Sequence, residues 1–396
     1  MMRYPFPIIT NLTQIEEAIK GRDEFIVAER EFGYVINYLV HLIDSFPRLN
    51  TRDPALNTLY AIRRECRGIK FGSDGLLIAR TLHKFFNLDE RAETLAENVD
   101  FEVPYAIFDK LDGSMIHPIV MNGQVVYCTK MGITDIAADA QKFAAAKGHK
   151  AIFYNDFCWD LMKSGMTPTF EWCSRSNRIV VDYPDDQMIL TAIRRMASGE
   201  YLPTSSMEAL AEPYRVPVVQ QWQGSYNSVA DFVAKAQELQ DEEGYVIRFS
   251  DGHMLKVKNM WYVQLHKVKA LLEFEKDVWL LILDGKQDDL KSVMEDEDKA
   301  RIDSFATDFF QAINETAERL EWIVIAARDN LNDSKKKFAL DVVPQHSELD
   351  RGLLFSIWDG ADPLTVLKDF IRKNTGTQTK VDHVRPLLGG IRWERY

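Results

Sequence analysis

At 396 residues the chain exceeds one usual hydrophobic core, and its 46% hydrophobic and 11% aromatic content excludes a disordered chain. No run is apolar for the length of a membrane span, and the opening MMRYPFPIIT sets prolines where a signal peptide needs an apolar helix, so a soluble, non-exported protein is expected. The net charge of −12 speaks against a polyanion partner only until its distribution is read: Arg52 to Lys84 holds seven Lys/Arg against three Asp/Glu, Arg372 to Tyr396 six against two, and residues 284–303 eight acids against four bases.

In chain order, NLTQIEEAI opens a helix in which Thr13 and Glu16 have capping-box spacing. From about residue 65 to residue 267 the β-like runs GLLIAR, SMIHPIV, QVVYCT, RIVVDY, GYVIRF and MLKVK recur between helical patches, which predicts an α+β region with antiparallel hairpins. Beyond Lys267, Ile302, Phe305, Phe309, Ile313, Ala317, Leu320 and Val324 recur at three- and four-residue spacing, and Asp362-Pro363 reads as N-cap and first residue of a further helix. Two domains follow, 1–267 and an all-α 268–396. Cys66, Cys128, Cys158 and Cys173 form no C-x-x-C pair, so neither a zinc site nor a disulfide framework is suggested, and a reducing cytoplasm fits.

Two hairpins organise the chemistry. Asn122-Gly123 turns SMIHPIVM back as QVVYCTK, which sets Met115 opposite Lys130 and brings Lys130 beside residues 110–114. Asp251-Gly252 reads as a two-residue turn that pairs Tyr245 with Lys258 and Ile247 with Lys256, so Glu243, Lys256 and Lys258 share one face while Val246, Leu255 and Val257 point into the core. Just before the first of them FDKLDGS (Phe108 to Ser114) places Lys110 where a strand leaves for a turn. That lysine is either a solvated loop cation or a nucleophile, and four lysines around one cleft form a phosphate trap.

The ordered series KLDG (Lys110 to Gly113), FEW (Phe170 to Trp172), EGYV (Glu243 to Val246) and KVK (Lys256 to Lys258) resembles the signature of covalent nucleotidyltransferases. With ECRGIKF (Glu65 to Phe71), HKFFNLDE (His83 to Glu90), DGSM, TKMG, SNRIV (Ser176 to Val180) and KNMWYV, the stretch from Cys66 to Tyr262 is similar to the T4-type phage RNA ligase 1 family. The resemblance implies an ATP-grasp-like nucleotidyltransferase domain of antiparallel sheets and helices, followed by the helical domain. It implies ATP-dependent joining of 5′-phosphate and 3′-hydroxyl RNA ends through lysyl-AMP and RNA-adenylate, in repair of RNA such as a nicked tRNA loop. It further implies a separate polynucleotide kinase/phosphatase as partner, no membrane, and a phage-encoded protein in the bacterial cytoplasm.

By motif position Lys110 is the expected nucleophile, and Asp112 and Gly113 shape the turn that presents it. Arg67, Lys84, Lys130, Lys256 and Lys258 are expected at the phosphates of ATP, Tyr262 either there or in the core, Glu171 at a ribose hydroxyl, and Glu243 at Mg²⁺ or Mn²⁺. Trp172 is open between stacking on adenine and core packing; strand alternation sets it opposite Glu171. Asn177 and Arg178 match a family run and either approach the site or form a structural turn. The other readings are a capping-type guanylyltransferase, disfavoured by helix where an OB-like β domain would follow Lys258, and a non-catalytic RNA-binding protein that retains the fold.

Overall fold

The computed structural model describes residues 4–42, 44–49, 51–146, 152–222, 226, 229–237, 242–291 and 294–394. Two compact units, Met1–Val263 and Gln264–Tyr396, divide the chain. The first unit is mixed α and β. Its strands are β1 (Phe25–Arg30), β2 (Gly33–Tyr38), β3 (Ile69–Gly72), β4 (Leu77–Ala79), β5 (Phe86–Asn87), β6 (Tyr105–Asp109), β7 (Ser114–Met121), β8 (Gln124–Cys128), β9 (Met166–Cys173), β10 (Gln187–Arg195), β11 (Gln221–Trp222), β12 (Gly244–Phe249) and β13 (Met254–Lys258). They form three sheets, ordered β1-β2-β3-β4, β10-β9-β7-β8 and β11-β6-β12-β13-β5; among the described residues every named pairing is antiparallel except β13 with β5. The hairpin of β1 and β2 lies upstream of the region read as β from sequence.

Local chemistry explains where the expected elements hold and where they move. The first helix, Leu12–Ile19, is capped two residues before Thr13: Asn11 Oδ1 accepts from the Gln14 backbone N–H at 3.3 Å, and Gln14 Oε1 accepts from the Asn11 N–H at 3.2 Å. At the β7–β8 hairpin Asn122 (φ 52°) and Gly123 (φ 75°) are both left-handed, as a two-residue primed turn requires, and His117 lies opposite Cys128. That register is the one expected from the sequence.

The β12–β13 hairpin differs by one residue. Its loop holds three residues, Ser250 to Gly252, with Gly252 at φ 103° and the Phe249 N–H donating to His253 O at 2.9 Å. A third residue accommodated at a left-handed glycine shifts the ladder, so Gly244 faces Lys258 and Val246 faces Lys256, in place of the expected Tyr245–Lys258 and Ile247–Lys256 pairs. Tyr245, Ile247, Phe249, Leu255 and Val257 enter a core cluster. Val246, expected in the core, instead joins Lys256 on the other face.

RIVVDY, Arg178 to Tyr183, forms no strand. Its backbone is committed to a side chain described below.

A buried three-residue charge node joins the first two sheets. Glu65 ends the helix Pro54–Glu65 and takes both Arg194 Nη atoms (2.6 and 2.7 Å) and Arg80 (2.9 Å to Nη2). All three side chains are essentially solvent-free. Burial alone would raise the Glu65 carboxyl, but Arg194 and Arg80 overcome it and hold the group well below the usual carboxylate range.

The second unit is helical. Asp296–Leu331, 36 residues long, buries Ile302, Phe305, Phe309, Ile313, Ala317, Leu320 and Val324 along one stripe. Asp362 caps Pro363–Lys373, with Oδ2 accepting from the Thr365 N–H at 2.8 Å. None of the described helices is long and apolar enough to cross a membrane.

Glu65→Ala strands two buried guanidiniums, and loss of one partner of a buried ion pair costs about 3–5 kcal/mol. A urea titration is expected to show destabilisation of that size; a loss below about 1 kcal/mol would show that the node does not hold the sheets together.

Candidate active site

Strand β6 ends at Asp109, and the Lys110 backbone N–H donates to Gly244 O at 2.8 Å, so the residue leaving β6 is still tied to β12. Its Nζ forms an ion pair with Glu243 Oε2, and Glu243 Oε1 lies 3.3 Å from Lys258 Nζ. The Glu243 side chain is 5% exposed, against 20% for Lys110 and 34% for Lys258. The amine is therefore held at the open end of a buried carboxylate.

The turn after Lys110 is fixed by Asp112. Its Oδ2 accepts the backbone N–H groups of Val180 and Val181 at 2.7 and 2.8 Å, and its Oδ1 accepts from the Tyr262 hydroxyl at 2.7 Å. Its own N–H donates to the Tyr183 hydroxyl at 2.9 Å. A carboxylate bound by two amides and a phenol is rigidly placed, and this is why RIVVDY does not pair as a strand. Gly113 then packs against β9; a Cβ on it would lie 2.4 Å from Trp172 O, so the approach admits only glycine. Ser114 begins β7, and its Oγ accepts from Asn177 Nδ2 at 3.2 Å.

A cleft of about 500 Å³ opens beside this turn, with Arg67, Lys110, Lys130, Glu171 and Lys256 on its walls. Arg67 leaves Nη1 buried without a hydrogen-bond partner among the described residues. The cations crowd one another. Burial, then Arg67, Lys84 and Lys110, push Lys256 down to about 6 from a usual lysine value near 10.4. Burial brings Lys84 to about 8, where Arg67, Arg91 and Lys130 work against Glu90, and Lys130 is lowered by burial and by Arg67. Aromatic faces carry part of this charge: Lys256 Nζ is 4.6 Å from the Phe85 ring centroid and Lys84 Nζ is 5.1 Å from that of Phe86. Burial raises Glu171 to about 7, opposed by Lys110 and reinforced by Glu243.

The residues expected from sequence thus separate into three groups. Arg67, Lys110, Lys130, Glu171 and Lys256 line the cleft, Glu243 and Lys258 join it through the Lys110 ion pair, and Lys84 stands beside Lys256 and Lys130. Tyr262 is 2% exposed with its hydroxyl on Asp112 and does not line the cleft. Trp172, 3% exposed, packs 4.8 Å from the Phe143 ring inside the core, which removes it as a stacking platform. Sequence reasoning gave no role to Phe85, Tyr183 or the amides of Val180 and Val181; the available signals were the aromatic pair directly after Lys84 and the run SNRIV that ends at Val180.

No group of three or more His, Cys, Asp or Glu poised for a metal occurs among the described residues. Magnesium takes one or two carboxylates and completes its shell with water and phosphate, and the Glu243 and Glu171 carboxylates, near enough that Glu243 helps to raise Glu171, fit that demand.

Comparison with known proteins agrees with the site's composition. The model of a family described as RNA ligase matches residues 65–262, half of the chain. A candidate RNA ligase of Thermovibrio ammonificans is 28% identical over 276 residues, 65% of this chain and 69% of that protein. A candidate bifunctional polynucleotide kinase/RNA ligase of Autographa californica nuclear polyhedrosis virus is 25% identical over 304 residues, 67% of this chain but 42% of that protein. An archaeal ATP-dependent RNA ligase structure aligns with a TM-score of 0.46 at 16% identity, over 67% of this chain and 66% of that one.

The depressed Lys256 has a thermodynamic consequence in the ligand-free protein. Between about pH 6 and the unfolded value near 10.4 the unfolded chain binds a proton that the folded chain does not, so stability falls as pH drops through that window. Lys256→Met should therefore melt at a higher temperature than the wild type, by a margin that grows from pH 10 to pH 6 and then levels. A margin independent of pH would show that Lys256 titrates normally.

Proposed function

The chain belongs to the RNA ligase family, and on that premise we propose that it joins a 5′-phosphate to a 3′-hydroxyl RNA end at the expense of ATP, with Lys110 as the covalent nucleophile. The observation that carries this reading is the Lys110 amine, paired to buried Glu243 at the mouth of a cation-walled cleft and presented by a turn that Asp112 clamps. Residues 1–267 act as the adenylyltransferase domain and 268–396 as its helical companion.

In the first step the Lys110 ammonium leaves its ion pair with Glu243 and loses a proton to solvent at the cleft mouth, and the free Nζ attacks the α-phosphorus of ATP. The N–P bond forms, the bond to the bridging oxygen breaks, and pyrophosphate leaves. Arg67, Lys84, Lys130 and Lys256 receive the charge that develops on pyrophosphate, and preorganised cations are worth most in a water-poor cleft. Glu171, poised near neutrality, can accept a ribose hydroxyl or donate to it. Glu243 and Glu171 would hold a divalent ion, which when bound supplies positive charge to the phosphate oxygens. In the second step an oxygen of the RNA 5′-phosphate displaces the lysine and forms RNA-adenylate. In the third a 3′-hydroxyl attacks that 5′-phosphorus and AMP departs. Lys258, over the Tyr262 ring at 5.3 Å, already pairs with Glu243 and keeps that partner when Lys110 becomes covalent.

The natural substrate on this reading is a broken RNA loop such as a nicked tRNA, in the cytoplasm of a phage-infected bacterium. The exposed Lys335, Lys336 and Lys337 of the helical unit offer a sequence-blind phosphate contact. A kinase/phosphatase that prepares the ends fits the viral relative's description as both kinase and ligase.

With a divalent metal and ATP labelled at the α-phosphate, the wild type should acquire acid-labile label and Lys110→Ala none; Lys256→Ala and Lys258→Ala should label about a hundredfold more slowly. Labelling of Lys110→Ala would overturn the assignment, and a preference for GTP would make the protein a guanylyltransferase.

A further inference from the structure

Lys70 lies in β3 with no exposed surface and no carboxylate partner among the described ion pairs. Its ammonium makes three contacts: Gly68 O at 3.0 Å, Thr129 O at 3.0 Å and His117 Nε2 at 2.7 Å. An ammonium only donates, so Nε2 is the acceptor and the proton of neutral His117 sits on Nδ1, which finds no partner among the described residues. A buried ammonium satisfied by carbonyls and an imidazole, with no anion, is costly for packing alone, since an apolar side chain of the same volume would fill the space. Burial brings it to about 8.

What the three bonds connect explains the cost. Gly68 follows Arg67, Thr129 precedes Lys130, and these cations come from different sheets onto one cleft. Their backbones touch: Gly68 has φ 88°, and a Cβ on it would lie 2.7 Å from Lys130 Cα. We propose that Lys70 is a positioning residue which, with His117, staples the Arg67-Gly68 turn to the Thr129-Lys130 turn and thereby sets the spacing of a pyrophosphate-binding pair, Arg67 and Lys130. The proposal rests on the cleft reading given above but needs no turnover to be tested.

The probe is inorganic pyrophosphate, titrated calorimetrically into the full-length chain without ATP. Lys70→Met is expected to weaken binding at least tenfold while the folded fraction keeps the wild-type circular dichroism spectrum. Gly68→Ala, which forces the same two turns apart while leaving the lysine itself in place, should weaken it comparably and decides the matter if Lys70→Met does not fold. In an Arg67→Ala/Lys130→Ala background the Lys70→Met effect should shrink below twofold, because the residue acts through those two. A merely structural lysine would lower the melting temperature and leave the pyrophosphate affinity of the folded protein unchanged. That result, an undiminished effect in the double-alanine background, or no pyrophosphate binding by the wild type overturns the proposal. Failure of the wild type to self-label with ATP while pyrophosphate binding follows this pattern overturns the ligase reading and leaves the staple standing.

Discussion

Asp112 is the hinge of the site. One buried carboxylate receives two backbone amides from residues 180 and 181 and the hydroxyl of Tyr262, while its own amide engages Tyr183. Three separate stretches of chain, the turn after β6, the segment after β9 and the start of the helix Met260–Leu272, are thereby fixed to one side chain. Lys110 sits two residues before it and is tied on its other side to Gly244, so its amine projects from a turn held at both ends. A hydrogen bond to a charged group is worth roughly 1.5–3 kcal/mol, and several converging on one acceptor in a poorly solvated site make the turn one of the stiffest parts of the unit.

Around this point the unit assembles charge that its global balance conceals. The protein carries −12 overall, yet the cleft walls present Arg67, Lys110, Lys130 and Lys256, with Lys84 beside them. Burial and neighbouring cations lower Lys256 and Lys84, which means that a bound anion would raise both amines back toward their usual range and favour their charged forms. Away from the cleft, Glu65 balances Arg80 and Arg194 between the sheets. Stability is supplied by paired charge away from the cleft and spent on like charge within it.

Much of this was legible in the residues. The α+β region, the helical continuation and the β7–β8 register follow from turn chemistry and periodicity, and the gathering of Lys110, Lys130, Glu243, Lys256 and Lys258 from motif order; the common strand face read for Glu243, Lys256 and Lys258 rested on a register that the structure shifts by one. What escaped was set by single contacts. Gly252 accommodates a third loop residue, which moves Val246 to the face of Lys256, against Leu82, Phe85 and Met254, and changes every cross-strand partner of Lys256 and Lys258. Arg178 to Tyr183 has strand composition, but Asp112 claims the amides a strand would use, and no local pattern announces a carboxylate 68 residues upstream. Asn11 outcompetes Thr13 as a cap because Gln14 returns its bond. The Lys70 staple was likewise silent: its lysine and its histidine each read as an ordinary residue until the sheets brought them together.

The claim on which the account turns is that Asp112 holds the Lys110 turn in its reactive form. Residue-resolved amide exchange on wild type and Asp112→Asn, run beside self-adenylation of the same samples, tests it directly. The Val180 and Val181 amides should exchange at least tenfold faster in the variant, as expected for loss of a charge-assisted bond, and label on Lys110 should fall with them. Unchanged protection at both amides, or lost protection with adenylation at the wild-type rate, would contradict the account.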